Sequence, residues 1–414
     1  MKIPFNKPFL TGNEAEYIRQ AVYSGKLSGN GVYTRKCQKF FEDRYGFRKA
    51  LMTTSCTDAL EMAAILCDIK PGDEVIAPSY TFVSSVLAFV RQGAKIVFCD
   101  SCKDNPNIDP DKIEALITPK TKVIVPVHYA GVACDMDRIM DIATRHNLLV
   151  VEDAAQAIDS YYKGRALGSI GHLGCFSFHE TKNIIAGEGG LLTINDPRFI
   201  RRSEIIWEKG TNRSEFFRGE VNKYGWVDTG SSFLPSELIS AFLWAQIENL
   251  DMIQTRRKEL WLRYHAGLQE LADKGCLTLP VIPDYATNNA HMFYVVCRSL
   301  EERTALIKHL KDNDILSVFH YLSLHKSAFY TTHADFRPDN CQEVETVAVT
   351  NFDGTVTDEA QVVGLDLPEC DRYADCLLRL PMYYELTDRE CDQVIGCILS
   401  LIHISEPTRH LRIS

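Results

Sequence analysis

The residues best suited to chemistry lie in three short segments, each directly after a predicted strand. The first is Thr53–Thr57, with the sequence TTSCT, which precedes a predicted helix beginning near Asp58. Hydroxyl groups and unpaired backbone N–H groups at a helix start favour an anion such as a phosphate. A serine or threonine in this position can equally be an ordinary helix cap.

A carboxylate and a lysine mark the other two segments. Asp153 follows the apolar residues Val150 and Val151, so it would lie at the end of a buried strand. Lys182 comes shortly after a predicted strand and precedes the glycine-rich turn Gly187–Gly190. Taken singly, Asp153 can be a helix cap and Lys182 a surface lysine.

Taken together, these groups meet the requirements of one cofactor. Pyridoxal phosphate needs a lysine for a Schiff base, an acid to pair with its pyridine nitrogen, and a cup for its phosphate. The sequence therefore predicts pyridoxal 5'-phosphate as cofactor, with Lys182 and Asp153 as the catalytic residues.

A mainly parallel sheet is predicted to position these residues. Short apolar runs alternate with helical patterns, which is typical of βαβ units in an α/β fold. Ligands of such sheets bind outside the carboxyl ends of the strands. Strands are predicted at Lys49–Thr53, Val75–Pro78, Lys95–Cys99, Val123–Val127, Leu148–Glu152 and Cys175–Phe178.

A second, smaller α/β unit is predicted after a long helical stretch from Glu237 to about Leu271. We expect a large domain over residues 1–250 and a small C-terminal domain over 251–401, whose last helix ends near Leu401. Within the small domain, residues 335–370 carry Arg337 as their only basic residue against nine acids, which predicts a solvated insertion with little regular structure. Residues 402–414 resemble translated vector sequence and are not expected to continue the last helix.

The composition excludes several classes of protein. Lys plus Arg total 45 and Asp plus Glu total 55, and this net charge of −10 argues against nucleic acid as the main partner. The sequence contains no run of about 18 apolar residues, so it predicts no membrane span. The opening residues do not resemble a signal peptide. The fourteen cysteines are scattered, and the single CxxC at Cys99–Cys102 lacks a second pair. We therefore expect reduced thiols, no metal site and a cytoplasmic location.

Four motifs together resemble the DegT/DnrJ/StrS family of sugar-nucleotide aminotransferases. They are Ser55–Leu60 (SCTDAL), Pro78–Val83 (PSYTFV), Glu152–Gln156 (EDAAQ) and Ser177–Lys182 (SFHETK). The resemblance extends from about residue 3 to about residue 400. It implies the type I fold of aspartate aminotransferase and a homodimer whose active sites lie between the subunits.

The resemblance also implies a role for each matching residue. Lys182 would carry the Schiff base, and Asp153 would keep the pyridine nitrogen protonated. The phosphate of the cofactor would be held by Cys56, Thr57 and Ser177. The ring of the cofactor would be contacted by Phe82 and Gln156.

Two positions depart from the family pattern. The family usually has glycine where this chain has Cys56 in the phosphate loop. Many members read Gly-x-Asn-x-Arg where this chain reads Gly230–Leu234, GSSFL, so Ser232 replaces an asparagine. In those members the asparagine reaches the phosphate of the neighbouring subunit's cofactor, and Ser232 would do so with a shorter side chain.

The activity implied is ping-pong transamination from L-glutamate to C4 of a dTDP-linked 4-keto-6-deoxyhexose. Arg213 lies in a loop that could bring a cation to an anionic substrate, and His320, Tyr321 and His325 follow a predicted strand of the small domain. We expect these four residues to bind the sugar nucleotide, although a buried His–Tyr pair and a solvated arginine would explain them equally. Three other functions remain open. They are transamination of another nucleotide-linked keto sugar, a related dehydratase (which would have histidine in place of Lys182), and a non-catalytic regulator that binds the cofactor or a nucleotide.

Overall fold

Nine strands and ten helices make up the N-terminal part of the structure, a computed structural model that describes residues 2–350 and 355–405. The strands are β1 Lys49–Thr53, β2 Glu74–Pro78, β3 Lys95–Cys99, β4 Thr121–Ile124, β5 Leu149–Asp153, β6 Tyr161–Tyr162, β7 Arg165–Ala166, β8 Leu173–Ser177 and β9 Gly190–Ile194. The helices are α1 Glu14–Tyr23, α2 Val32–Tyr45, α3 Cys56–Leu66, α4 Ser84–Val90, α5 Pro110–Ile113, α6 Met136–Arg145, α7 Ile200–Trp207, α8 Arg213–Phe217, α9 Glu237–Ile247 and α10 Leu250–Asp273.

Seven of these strands form one sheet in the order β1-β9-β8-β5-β4-β2-β3. Every neighbouring pair is parallel except the two that contain β9, which is antiparallel to β1 and to β8. All strands but β9 therefore point the same way, which confirms the predicted mainly parallel sheet. The short strands β6 and β7 pair only with each other.

Apolar clusters cover both faces of this sheet, because successive side chains of a strand point to opposite sides. Leu51 of β1 packs in one cluster with residues of α3, whereas Ala50 and Met52 pack in another with residues of α2 and α6. Strand β2 is buried along its whole length. Burial on both faces explains why these strands read as continuous apolar runs.

The C-terminal part contains a second sheet in the order β10-β14-β11. It packs with helices around a separate apolar cluster, which also includes Ile3 from the start of the chain. Ile3 pairs with Ile315 by a bridge, and its N–H donates to the Asp314 carbonyl at 2.8 Å. The elements are β10 Phe293–Val296, α11 Leu300–Asp312, β11 Val318–Phe319, α12 Ala328–Thr332, β12 Val344–Thr350, β13 Val356–Val362, α13 Pro368–Cys376, β14 Leu377–Leu380 and α14 Asp388–Ser405.

Two segments differ from the expectation. Residues 335–370 contain a hairpin of β12 and β13, although little regular structure was expected there. The side chains from Val356 to Ala360 are exposed, as a solvated insertion requires, but Val362 and Cys341 are buried. Helix α14 runs through Ser405, so residues 402–405 continue the last helix, and 406–414 lie outside the described residues.

Two further features bear on the class of protein. All fourteen cysteines lie within the described residues, and none forms a disulfide. Among the helices of residues 2–350 and 355–405, none is long and apolar enough to cross a membrane.

Candidate active site

A cavity of about 390 Å³ lies where the carboxyl ends of the parallel strands meet. The loops after β1 and β2 and the ends of β5 and β8 contribute to it from the large sheet, and residues near β11 and β14 contribute from the small one. Nine of the predicted site residues line this cavity, namely Cys56, Thr57, Phe82, Asp153, Gln156, Ser177, Lys182, His320 and Tyr321.

Lys182 lies in the turn between β8 and β9. Within the described part of the chain, its Nζ has no hydrogen-bond or ion-pair partner. The pKa of Lys182 is lowered to about 8, mainly by burial and also by the positive charge of Arg379, against an opposing effect of Cys56. A lysine with such a pKa can accept and donate a proton near neutral pH.

Asp153 ends β5 and is almost completely buried. Its carboxylate accepts hydrogen bonds from Ser85 Oγ at 2.7 Å and from the Ala155 N–H at 3.1 Å. Burial raises the pKa of Asp153, while these two hydrogen bonds and the charge of Lys182 oppose that rise. A cation bound next to this carboxylate would favour its ionised form, as a protonated ring nitrogen does.

The adjacent Glu152 has a structural role, because neighbouring strand residues point to opposite faces. Its carboxylate accepts hydrogen bonds from the N–H groups of Gly168, Ile170 and Gly171, and it pairs with His128 Nε2 at 2.9 Å. Glu152 thus holds the loop before β8 and leaves Asp153 as the buried carboxylate of the cavity, whose other carboxylate, Glu188, is exposed.

The start of α3 forms the phosphate end of the cavity. Ser55 caps the helix by accepting from the Asp58 N–H at 3.1 Å. The N–H groups of Cys56 and Thr57 have no acceptor among the described residues, and they lie at the positive end of an eleven-residue helix. Gly190 allows β9 to approach, since a Cβ there would lie 2.3 Å from the Ser55 carbonyl oxygen.

The small sheet supplies the opposite wall through His320 and Tyr321, which follow β11. Gln156 Nε2 donates to the Tyr321 hydroxyl at 3.2 Å, and the Tyr321 ring lies 5.9 Å from the ring of Phe82. His320 Nδ1 is 2.8 Å from the hydroxyl of Tyr129. Tyr321 has a φ of 60°, a left-handed conformation that is unusual for a bulky side chain and often marks functional sites.

Three predicted site residues do not line this cavity. Ser232 and Arg213 line a second cleft of about 720 Å³. The side chain of Arg213 is half exposed, and its guanidinium carbon is 5.2 Å from the centre of the Phe217 ring. His325 is buried beneath the turn that follows β11, where Nδ1 meets Ser79 Oγ at 2.8 Å, so His325 does not line the cavity in which a substrate contact was expected.

Other cavity residues were not anticipated from the sequence. Ser85 comes from α4, and His291 hydrogen-bonds through Nδ1 to Asn183 Oδ1 at 2.9 Å. Arg379 comes from the middle strand of the small sheet. A charged residue within the apolar run LLRLP is the one sequence signal that would have identified Arg379. No group of three His, Cys, Asp or Glu side chains in the described ranges is arranged to hold a metal ion.

Comparisons with known proteins agree with this geometry. Residues 8–353 match the DegT/DnrJ/EryC1/StrS aminotransferase family. The chain is 31% identical over 410 residues to the spore coat polysaccharide biosynthesis protein SpsC of Bacillus subtilis, covering 97% of each chain. It is 30% identical over 399 residues to the GDP-perosamine synthase of Caulobacter vibrioides, covering 96% of this chain and 97% of the relative.

A solved structure shows the same fold and names the cofactor. Spr1654 of Streptococcus pneumoniae in its PLP form superimposes with a TM-score of 0.81 at 25% identity, over 96% of this chain and 97% of that one. The cavity fits this cofactor, because it combines a lysine without a partner, a buried carboxylate and a helix start with unpaired N–H groups. The chain therefore belongs to the DegT/DnrJ/EryC1/StrS aminotransferase family and is a sugar aminotransferase that uses pyridoxal phosphate.

Proposed function

We propose that this enzyme transfers the amino group of L-glutamate to C4 of a dTDP-linked 4-keto-6-deoxyhexose. The products would be dTDP-4-amino-4,6-dideoxygalactose and 2-oxoglutarate. Three stretches support this substrate, because they resemble the dTDP-4-amino-4,6-dideoxygalactose transaminase of enterobacterial common antigen synthesis more than the family at large. They are Val125–Asp137, Glu208–Gly219 and Val318–His325.

The observation that carries the proposal is the meeting of Lys182, Asp153 and the start of α3 around one cavity. Bound pyridoxal phosphate supplies an electron-accepting ring next to the reacting carbon. Asp153 would hold the proton on the ring nitrogen. Lys182 would bind the cofactor covalently and, once released, move a proton at the substrate carbon, for which a pKa of about 8 is well suited.

The remaining cofactor contacts follow from which side of the cavity each group occupies. The N–H groups of Cys56 and Thr57, with the hydroxyls of Thr57 and Ser177, would hold the phosphate. Gln156 uses Oε1 to accept from the Ala130 N–H at 2.6 Å, which fixes its amide and directs Nε2 toward Tyr321. Its second Nε2 proton would then be available to the ring hydroxyl, and Phe82 would cover one ring face.

The small-sheet wall would bind the sugar. His320 is partly buried, and its desolvation together with the charges of Arg379 and Lys182 keeps its pKa well below the usual value. A neutral imidazole and the Tyr321 hydroxyl are suitable hydrogen-bond partners for an uncharged sugar ring. Because His320 and Tyr321 lie on the side of the cavity opposite the large sheet, a substrate there would face the cofactor.

A homodimer would explain why Ser232 and Arg213 lie outside the cavity of their own chain. The cleft that they line carries seven cations and three carboxylates, which suits a nucleotide diphosphate. Beside Arg213, the large apolar side chains of Phe217, Tyr224 and Trp226 are 69%, 51% and 83% exposed. We infer that a second copy covers this surface and that Arg213 binds the sugar nucleotide while Ser232 approaches the cofactor phosphate across the interface.

The free cysteines and the substrates support a cytoplasmic enzyme. Fourteen thiols without a disulfide are typical of a reducing compartment. A nucleotide sugar that serves polysaccharide biosynthesis would be made there from soluble precursors.

A panel of nucleotide-linked keto sugars tests the proposal. The purified enzyme would be incubated with L-glutamate and dTDP-, UDP- or GDP-linked 4-keto-6-deoxyhexoses, with 2-oxoglutarate formation as the readout and NMR of the product to assign C4. We expect the highest kcat/KM with the dTDP substrate and the galacto configuration in the product. A preference for the GDP sugar, the nucleotide in the name of the Caulobacter relative, would contradict the proposal.

A further inference from the structure

A buried latch, formed by Ser79 and His325, joins the large sheet to the small one. Ser79 directly follows β2, and His325 lies in the turn that follows β11. Both residues are completely buried, and neither lines the cavity. The proposed catalysis gives these two polar side chains no task.

The hydrogen bonds of the latch are short and fix the protonation of its histidine. Ser79 Oγ lies 2.8 Å from His325 Nδ1 and accepts from the His325 N–H at 3.1 Å, while the Ser79 carbonyl accepts from the Leu324 N–H at 3.0 Å. Because the Ser79 hydroxyl has no other acceptor among the described residues, it donates to Nδ1, and the ring proton is on Nε2. Burial lowers the pKa of His325 against the opposing charge of Asp371, so the ring is neutral at neutral pH.

The latch connects two segments that form opposite walls of the cavity. The loop that begins with Ser79 carries Phe82, and the turn that contains His325 carries His320 and Tyr321. The rings of Phe82 and Tyr321 are 5.9 Å apart. Tyr321 has a left-handed φ of 60°, a conformation that persists only where the surrounding contacts hold it. The latch is therefore placed to hold the two walls in register.

A nucleophilic role for Ser79 does not fit this geometry. Ser79, His325 and Asp371 have the composition of a hydrolase triad, and His325 Nε2 lies 3.7 Å from Asp371 Oδ1. In such a triad, however, the serine is accessible to substrate and meets the Nε2 atom of the histidine. Here Ser79 is buried and meets Nδ1.

We propose that His325 is a positioning residue that sets the affinity of the enzyme for its sugar nucleotide. By joining the turn after β11 to the loop after β2, it holds His320 and Tyr321 at a fixed distance from Phe82. Side chains that already occupy their bound positions lose less conformational freedom when the substrate binds. The inference rests on the proposed binding of the sugar by His320 and Tyr321, and it is independent of which sugar is bound.

Three variants test the latch through the KM for the keto sugar. Ser79→Ala removes the hydroxyl and His325→Leu removes the ring nitrogens, so KM should rise roughly 5- to 100-fold in each, the range for a buried polar group left without its partner. His325→Asn should stay within about threefold of wild type, because its Oδ1 can accept in place of Nδ1. The double variant Ser79→Ala/His325→Leu should be no worse than the more damaged single variant, because both remove the same interaction.

The half-reaction with L-glutamate separates positioning of the sugar from general damage. It is followed without sugar as the loss of the cofactor absorbance band. Its rate should stay within about threefold of wild type in all three single variants, because the latch acts on the wall that binds the sugar. An equal loss in both half-reactions would show a structural role and overturn the inference.

A second buried hydrogen bond between the same parts of the molecule provides a matched control. Tyr330, in α12, donates from its hydroxyl to the carbonyl oxygen of Ile96, in β3, at 3.0 Å. Neither residue lines the cavity. Tyr330→Phe should lower the melting temperature about as much as His325→Leu and leave KM for the keto sugar unchanged. An equal rise of KM in Tyr330→Phe, or an unchanged KM in Ser79→Ala, would overturn the inference.

A readout without sugar keeps this test separate from that of the proposed function. The visible circular dichroism of the bound cofactor depends on the rings packed around it, so the band should change in Ser79→Ala and His325→Leu and stay as in wild type in His325→Asn and Tyr330→Phe. A band that is unchanged in Ser79→Ala and His325→Leu would contradict the latch whatever the substrate. If another nucleotide-linked keto sugar reacts in place of the dTDP sugar, the proposed substrate is wrong, and the KM for that sugar decides the role of His325.

Discussion

Replacement of Asp153 by Asn removes a charge at the centre of the proposed site with little change in shape. The amide can still accept a hydrogen bond from Ser85 Oγ, which now donates to the Asp153 carboxylate at 2.7 Å. It cannot compensate a positive charge on the cofactor ring. At a hydrogen-bonding separation of about 3 Å and an effective dielectric constant of about 20, the lost interaction is about 5 kcal/mol.

If the whole of this energy acts in the transition state, kcat should fall roughly 10³- to 10⁴-fold. The rate is measured as single-turnover loss of the cofactor band with L-glutamate, and cofactor content is measured separately by absorbance after denaturation. Ser85→Ala is the control, because it removes a hydrogen bond from the carboxylate and keeps its charge, so its rate should fall by less than about tenfold. A kcat for Asp153→Asn within about threefold of wild type would refute the role of Asp153.

Three further predictions concern the rest of the proposed site, including the cleft that contains Arg213. Lys182→Met should abolish turnover. Since burial lowers the pKa of Lys182 from 10.5 to about 8, the free energy of unfolding of the variant apoprotein below pH 8 should exceed that of the wild-type apoprotein by up to about 3 kcal/mol. Denaturant titrations should show this difference shrinking as the pH rises towards 10.5. Arg213→Ala and Tyr321→Phe should raise KM for the keto sugar and leave the glutamate half-reaction nearly unchanged in stopped-flow absorbance; equal damage to both half-reactions would indicate a structural role. Gly190→Ala should weaken cofactor binding at least tenfold in fluorescence titrations, because its Cβ would collide with the Ser55 carbonyl at the start of α3; unchanged affinity would show that the phosphate lies elsewhere.

The large sheet and the residues at its strand ends could be predicted because both signals are local. Apolar runs bounded by helical patterns located six of the seven strands of the large sheet to within a few residues, whereas β9 was not predicted. Asp153 stands at the end of one of the predicted strands. The parallel arrangement of β1, β5 and β8 then brings the three chemically suited segments to one edge of the sheet. That part of the cavity follows from the order of residue types along the chain.

The small-domain wall could be predicted only in part, through His320 and Tyr321 at a predicted strand end, because the rest of it depends on how two sheets pack together. The strand that carries Arg379 shows a charge in an apolar run, but nothing in the sequence indicates which cavity that side chain reaches. His325 was expected to face the substrate, yet the turn after β11 directs its ring to Ser79, a residue more than 240 positions earlier. The β12–β13 hairpin was missed because charged and hydroxyl residues interrupt the apolar ones in both strands, VETVAVT and VTDEAQV, so neither shows the clear apolar alternation by which strands are recognised.

Trapping of the cofactor on its lysine tests the central claim most directly. Borohydride reduction of the purified holoenzyme, followed by proteolysis and mass spectrometry, should place the reduced pyridoxyl phosphate group on the peptide that contains Lys182. The same treatment after incubation with excess L-glutamate should leave Lys182 unmodified, because the cofactor then carries the amino group and is no longer attached to the protein. Labelling of a different lysine, or labelling of Lys182 that L-glutamate does not prevent, would contradict the account.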